Sequence, residues 1–428
     1  MKIGLQAWGS EGDIQPFTAL AAGLVQAGHD VTLLVTDNVG RDYSGLARRY
    51  GYKLIAVKNP DIHTTSEEIE SVWRSMIEIG NPIKQAEMVL QYGFDPEMEN
   101  MYSAAKTLCS NSDVVIGHFF VYPLRVAAEI ANVPMATVNI VHNCIPSAYI
   151  TPPGMPDLGK WFYPIGWKIV GKMINSIFLP RINALRKREG LPNCTDVMTQ
   201  AWMSERLNLL AVSPKICSAP KDWGNNNIVC GFLNPPAGLS SEELPEGLED
   251  YLNSGERPLY FTFGSMLIHN VDYIRETASI WNDVVKRLQC RAIFQLPWED
   301  LSVFETEANV FKVSRSPYKT VFPRCSVVIH HGGAGTTQSS LLSGCPSVIV
   351  AHMSDQFFWG SELERLGVAG STQKRKGLSF VKLAKSISTV LSTPEMAKRA
   401  TMIGSAMSQE NGVGSAIREI EKRLLSKI

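Results

Sequence analysis

The run His330-His331-Gly332-Gly333-Ala334-Gly335-Thr336-Thr337 combines ring donors, hydroxyls and bare main chain where an apolar strand pattern gives way to a helical one. Glycines let the backbone approach a ligand, and the orphan amides of a helix start attract an anion, a contact worth about 0.3–1 kcal/mol and up to ~2 when partly buried. His331 adds a ring donor that is charged when protonated, and Thr336 and Thr337 add hydroxyls. Together they predict a diphosphate cradle; a plain glycine turn would need neither the paired histidines nor the paired threonines. Further on, Asp355-Gln356 sets a carboxylate beside an amide. Such a pair can grip adjacent hydroxyls of a polyol, although Asp355 could instead cap the helix that begins near Gln356.

These groups need rigid elements behind them. Lys2 to Ala7 reads as a strand, Gly9-Ser10-Glu11-Gly12 as a tight loop, and Pro16 as the first turn of an amphipathic helix running to Ala27. Apolar runs at Val31 to Val35, Leu54 to Val57, Val114 to Gly117 and Met135 to Ile140 alternate with helical stretches, as in a parallel sheet covered on both faces. Similar runs at Leu259 to Phe263, Ala292 to Gln295, Val310 to Val313, Val327 to His330 and Ser347 to Val350 build a second such unit, with helices at Val271 to Leu288 and Gln356 to Leu366. The expected fold is α/β: two Rossmann-like doubly wound domains facing a central cleft. Residues 1–214 are expected to form the first domain, 215–238 a proline- and glycine-rich linker, 239–410 the second domain, and 411–428 a terminal helix that packs back on the first.

The 428 residues provide for about two or three domains. Forty-one basic residues balance 41 acidic ones, so no global field invites nucleic acid. The eight cysteines include no Cys-x-x-Cys pair, which argues for reduced thiols rather than zinc or disulfides. No apolar run reaches the ~18 residues a spanning helix needs. The protein is therefore expected to be soluble and cytoplasmic. From Lys160 to Arg188, Trp161, Phe162, Tyr163, Trp167, Ile169 and Phe178 mix with basic residues. The favoured reading is a helix whose aromatic face lines an acceptor pocket; the second is a weak peripheral contact with an anionic membrane.

The stretch His330 through Gly367 closely resembles the donor-binding signature of nucleotide-sugar glycosyltransferases of the GT-B fold, glycosyltransferase family 1. Gly9-Ser10-Glu11-Gly12-Asp13-Ile14-Gln15-Pro16 resembles the sterol and antibiotic-aglycone branch, and the likeness runs through Phe263-Gly264-Ser265 over essentially the whole chain. It implies an inverting, metal-independent hexosyltransferase with no cofactor, taking a UDP- or TDP-sugar, glucose by the Asp355-Gln356 pattern, to a hydroxyl of a lipophilic acceptor such as a sterol, terpenoid, polyketide or flavonoid. His331 then resembles the histidine that contacts the donor phosphates, with Gly333, Gly335 and Thr336 beside it and Ser265 closing from the other side. Asp355 and Gln356 resemble the sugar-binding pair. Ser10 stands where the acceptor-domain loop reaches the donor, and Pro317-Tyr318 matches the stretch that pairs with the base. Arg315 replaces a base-stacking tryptophan of plant members, so a guanidinium, or Trp298, would have to cover the ring.

Asp13 takes the place held in plant members by a catalytic histidine. A carboxylate there can remove the acceptor proton, a role worth typically ~10²–10⁴ in rate. Alternatively it caps the helix entering at Ile14, with its pKa lowered by the dipole. Plant members carry an aspartate after the fourth strand, where this chain has His118, so acid and imidazole could have exchanged places as a dyad; otherwise His118 is pocket wall. Glu11 reads as solvent-facing turn, His29 and His269 as surface residues, and His142 as pocket lining. Competing readings are a nucleotide-sugar epimerase or hydrolysing relative, a silent sugar-nucleotide binding protein, and a nicotinamide oxidoreductase with Asp37 as ribose hook. The spacing Gly4, Gly9, Gly12 opposes the last.

Overall fold

The computed structural model describes all residues except 39, 59–65, 235–242, 267–269 and 426–428. The first sheet contains β1 (Lys2–Gly9), β2 (Asp30–Asp37), β3 (Lys53–Ala56), β4 (Val114–His118), β5 (Met135–Asn139), β6 (Leu207–Leu210) and β7 (Asn227–Val229). Their order is β3-β2-β1-β4-β5-β6-β7, with every pair parallel. The second contains β8 (Leu259–Thr262), β9 (Ala292–Gln295), β10 (Val310–Val313), β11 (Val327–His330), β12 (Ser347–Ala351) and β13 (Gln373–Lys374), ordered β10-β9-β8-β11-β12-β13 and again parallel. Central strands such as β4 and β11 are buried along their length, which is why they read as continuous apolar runs rather than alternating ones.

The order reverses between β1 and β4 in one sheet and between β8 and β11 in the other. At such a point the loops leaving the carboxyl ends of neighbouring strands diverge and open a crevice where ligands bind. Asp13 and His118 follow β1 and end β4; Gly264 and His331 follow β8 and β11.

The chain forms two compact units: Met1–His63 with Asn81–Pro236 and Glu410–Ile428, and Thr64–Gly80 with Ala237–Gln409. This differs from the sequence reading in two places. The expected linker contributes β7, whose Ile228 pairs with Leu209, while Cys230 and Leu233 enter the first core. Its prolines and glycines interrupt periodicity because a three-residue edge strand needs turns close on either side. The expected linker's residues 235–238 lie outside the described ones. Second, helix Ser66–Ile79 belongs to the second unit, not to a domain spanning 1–214. Trp73 and Ile77 lie four apart on one face and join the core that holds Trp281 and Phe261, Trp73 partly buried and Ile77 buried, the latter contributing about 1.5–3 kcal/mol.

The helix after β1 spans Glu11–Gln26 and so begins five residues before Pro16, which falls in its second turn. Ser10 as N-cap and Asp13 three residues on start it earlier than proline alone suggested. On its far side Gly23 leaves room for Val413 of helix Gly412–Ile420; a Cβ there would collide with the Val413 side chain. Ala416, Ile420 and Leu424 are buried in the same core as Phe17, Leu20 and Leu24. Among the described residues, no helix is long and apolar enough to cross a membrane.

Candidate active site

In the first unit, Ser10 donates to Asp13 Oδ2 twice, from its backbone N–H (2.8 Å) and from its hydroxyl (3.0 Å). Gly9 makes this possible: its φ of +130° is open to glycine, and a Cβ would collide with Oδ2. Asp13 thus caps the helix with one oxygen. The other, Oδ1, faces His118 Nε2 at 3.8 Å, with the Asp13 side chain 26% exposed. Burial pushes its carboxyl up to about 6, outweighing the two Ser10 hydrogen bonds, and the Asp37 charge adds to the rise. Capping by itself would have lowered it.

His118 is 3% exposed, and the Phe120 backbone N–H donates to its Nδ1 at 3.4 Å. That assigns the lone pair to Nδ1 and the proton to Nε2, which has no hydrogen-bond partner and points toward Asp13. Burial pulls the imidazole down to about 3. A neutral ring whose acceptor nitrogen is engaged by main chain can position a carboxylate but offers no lone pair to an incoming hydroxyl.

Aromatic rings crowd this corner. Phe120 is stacked between Trp8 (5.5 Å) and Trp202 (6.0 Å), and Phe119 and Phe178 meet Trp202 edge-on. The sequence reading did not single out Trp8, Phe119, Phe120 or Trp202. Their signal was position: Trp8 is the last residue but one of β1, and the two phenylalanines follow β4 directly. His142 is buried just past β5. Two minor expectations change. Glu11 is ion-paired with Arg41 and accepts from Gln15 (2.7 Å), and His29 is paired with Glu421 at 3.2 Å rather than lying free on the surface. His269 lies outside the described residues. Asp37, the supposed ribose hook, accepts from the Tyr43 hydroxyl (2.7 Å) and the Gly40 amide (2.9 Å).

In the second unit, the loop after β11 leads into helix Ala334–Leu342 with Gly333 as N-cap. Gly333 and Gly264 both face the His331 ring, and at Gly333 a Cβ would collide with Nε2. Gly335 faces open space, as a backbone meant to touch a ligand requires. His331 is buried with Nδ1 unpartnered, and burial pulls it down to about 4, so its ring acts as a neutral donor near neutrality. Thr337 is buried beneath the loop, with its hydroxyl unpartnered, whereas half-buried Thr336 hydrogen-bonds Tyr318. The Ser265 backbone lies in the turn Gly264–Met266, while its side chain lies outside the described positions.

The Tyr318 ring stacks on Phe322 at 4.2 Å and its hydroxyl donates to Gln295 Oε1 at 2.9 Å, which leaves the Pro317-Tyr318 main chain as the part expected to pair with a base. Tyr260 donates to the same oxygen at 2.9 Å, and Thr262 lies 3.3 Å from the Tyr318 hydroxyl. This polar knot lies beside the loop and was missed in sequence because its members are scattered over β8, β9 and the short helix Tyr318–Val321. Trp298 packs edge-on against Phe304, and Arg315 is exposed. Helix Ser354–Arg365 carries Asp355 in its first turn, but the capping oxygen comes from Gln356, which accepts from the His352 (2.7 Å) and Met353 (3.3 Å) amides. Gln356 therefore keeps only its nitrogen for a ligand.

Residues 3–138 match the glycosyltransferase family 28 N-terminal domain, and residues 283–424 match the C-terminal domain of erythromycin biosynthesis protein CIII-like proteins. Two sterol 3-beta-glucosyltransferases of Arabidopsis thaliana are 28% and 27% identical over 99% and 100% of this chain, which spans 68% and 66% of their length. An O-mycaminosyltylonolide 6-deoxyallosyltransferase of Streptomyces fradiae is 27% identical over 99% of this chain and 97% of its own. Among solved structures, the glycotransferase of kitacinnamycin superposes with a TM-score of 0.68 at 18% identity over 99% of this chain and 98% of that one. Glycosyltransferase VinC in complex with DTDP gives 0.63 at 18% over 98% and 99%. Paired parallel sheets and matched halves define this chain as a glycosyltransferase of the GT-B fold. The relatives it resembles include sterol and antibiotic glycosyltransferases.

Proposed function

We propose that the protein is an inverting, metal-independent hexosyltransferase that moves glucose from a UDP- or TDP-sugar to a hydroxyl of a lipophilic acceptor of the sterol, terpenoid, polyketide or flavonoid kind. The observation that carries this is the division of Asp13: one oxygen held by Ser10, the other facing His118, on a carboxyl raised to about 6. Such a group is ionised near neutrality yet basic enough to receive a proton. Asp13 Oδ1 takes the acceptor hydroxyl proton as that oxygen bonds to the anomeric carbon. The bond from that carbon to the diphosphate oxygen breaks with its electron pair leaving on the diphosphate, so a single displacement inverts the centre. His118 is a positioning residue that keeps Oδ1 turned to its task.

The growing negative charge on the diphosphate is met by the amides at the start of helix Ala334–Leu342 and by the His331 ring, dipoles fixed beforehand and hence effective without a metal or other cofactor. Thr336 and Ser265 complete that cradle, and Asp355 with the Gln356 nitrogen holds the sugar hydroxyls. Glucose and sterol follow the activity for which the plant relatives are named, and a thymidine diphosphate follows the ligand of VinC. The aromatic corner around Phe120 suits a flat apolar acceptor. Eight free thiols fit a reducing, cytoplasmic setting. A panel of UDP- and TDP-sugars against sterols and polyketide aglycones, with the anomeric configuration read by NMR and turnover repeated in EDTA, tests the reading. Retention of the donor's α configuration, or turnover lost in EDTA and restored by magnesium, would overturn it.

A further inference from the structure

The aromatic segment divides its side chains in a way the sequence did not settle. Helix Tyr163–Arg188 buries Tyr163, Trp167, Val170 and Phe178. Its other face, with the loop before it, leaves Trp161 71% exposed and Tyr149, Leu158, Ile165 and Ile169 each between 41% and 49% exposed. Ile165, Lys168, Ile169 and Lys172 follow the i, i+3, i+4, i+7 spacing of one helical stripe, and both lysines are exposed. The loop is built, not loose. Asp157 accepts from the Tyr163 hydroxyl (2.7 Å) and the Gly159 amide (3.0 Å), Trp167 donates to the Ile150 carbonyl (2.9 Å), and Lys160 lies over the Tyr149 ring at 5.6 Å. A tryptophan is thus held outward by its neighbours' hydrogen bonds.

We infer that this face docks on the surface of an anionic lipid bilayer. Charge complementarity selects that occupant: Lys160, Lys168 and Lys172 stand among the apolar groups, and the one carboxylate of the segment, Asp157, is already held by Tyr163 and Gly159. Lysine stems lie along apolar surface while their ammonium groups reach outward, and tryptophan favours the headgroup level. A second copy fits poorly, because a two-fold interface would set these lysines against their own counterparts. From Ile165 to Phe178, which joins the aromatic corner near His118, the helix rises by about 20 Å at 1.5 Å per residue. One rigid element links the docking face to that corner.

Sedimentation with phosphatidylcholine vesicles, with and without phosphatidylglycerol, tests this on the full chain. The protein should pellet with the anionic vesicles, less so as salt rises, and Lys168→Ala should weaken partitioning by about fivefold, the worth of one lysine at such a surface. Trp161→Ser combined with Ile169→Ser should abolish pelleting while leaving the melting temperature and nucleoside-diphosphate affinity unchanged. No pelleting at low salt, or equal pelleting by the double variant, overturns the inference. So does a lipid-independent dimer that the double variant dissociates, since the face would then belong to a second copy. The result is separable from the transfer reading: turnover of a detergent-dispersed acceptor reports on that reading whether or not vesicles bind.

Discussion

Asp13 Oδ1 and His118 Nε2 face each other at 3.8 Å across the reversal of strand order between β1 and β4, while the second Asp13 oxygen is held by Ser10. The same carboxylate therefore starts a helix and presents a base. The sequence reading had set these roles against each other.

Asp13→Asn should cut the turnover number by at least about a hundredfold while leaving nucleoside-diphosphate affinity unchanged, the low end for losing a general base. Its pH dependence gives the sign. With the carboxyl raised to about 6, wild-type kcat/KM in the free enzyme should rise with pH through that value and then level off, because protonation below it removes the base. The residual activity of the variant should lack that acid limb. An unchanged limb in Asp13→Asn assigns the titration to another group.

Ser10→Ala removes one of the hydrogen bonds that favour ionised Asp13, so the acid limb should move to higher pH. The loss of a serine at the N-cap should also cost about 0.5–2 kcal/mol of stability, read by urea titration. A limb that moves down, or stays, would show that the hydroxyl does not tune the base.

If His118 acts by positioning Asp13, the effects of the two residues must overlap. The double variant Asp13→Asn, His118→Ala should be barely slower than Asp13→Asn alone. Multiplying penalties would mean that His118 has a catalytic task of its own.

Gly333→Ala should push the His331 ring from its seat and weaken nucleoside-diphosphate binding, measured by calorimetry. His331→Ala should reduce both that affinity and turnover. Combining the two should add little to either, since both act on one ring.

Burial lowers the pKa values of His118, His330, His331 and His352, to about 3 and about 4 for His118 and His331. Between those values and the ~6.5 of an unfolded histidine, the unfolded chain binds more protons, so stability should fall as pH falls through that window. Asp13, raised to about 6, and Glu410, also raised by burial, work in the opposite direction but are outnumbered by the four histidines. Melting temperatures should drop from pH 7 to pH 4.5, and less in His331→Ala than in the wild type once each is referred to its own value at pH 7.

Much of this architecture was legible because buried parallel strands are continuous apolar runs, as at Val114 to Gly117 and Val327 to His330. Short edge strands carry no such signal: β7 and β13 have three and two residues, and their pairing is set by neighbours far off in sequence. Helix Ser66–Ile79 shows an amphipathic pattern, yet nothing local says which core its apolar face will meet. In the site, the glycine-rich loop announced itself by composition. Ser10-x-x-Asp13 is readable as a capping box, but the rise in the Asp13 pKa comes from the protein packed around it, Asp37 included, which no spacing reveals. Half of Gln356 was hidden for a similar reason, since an amide looks free until its oxygen is seen on the His352 and Met353 main chain.

The return of residues 412–424 to the first unit also orders events on the ribosome. β1, β2 and β4 emerge early, but the core they share with the first helix stays uncovered until Val413, Ala416, Ile420 and Leu424 have been made. The second unit, whose residues lie between, can complete its own sheet during that wait. Domains generally fold as units in order of synthesis, so here the half that begins first is closed last. A nascent chain stalled near residue 405 should accordingly expose an apolar strip along Phe17, Leu20 and Leu24, a natural target for a holding chaperone.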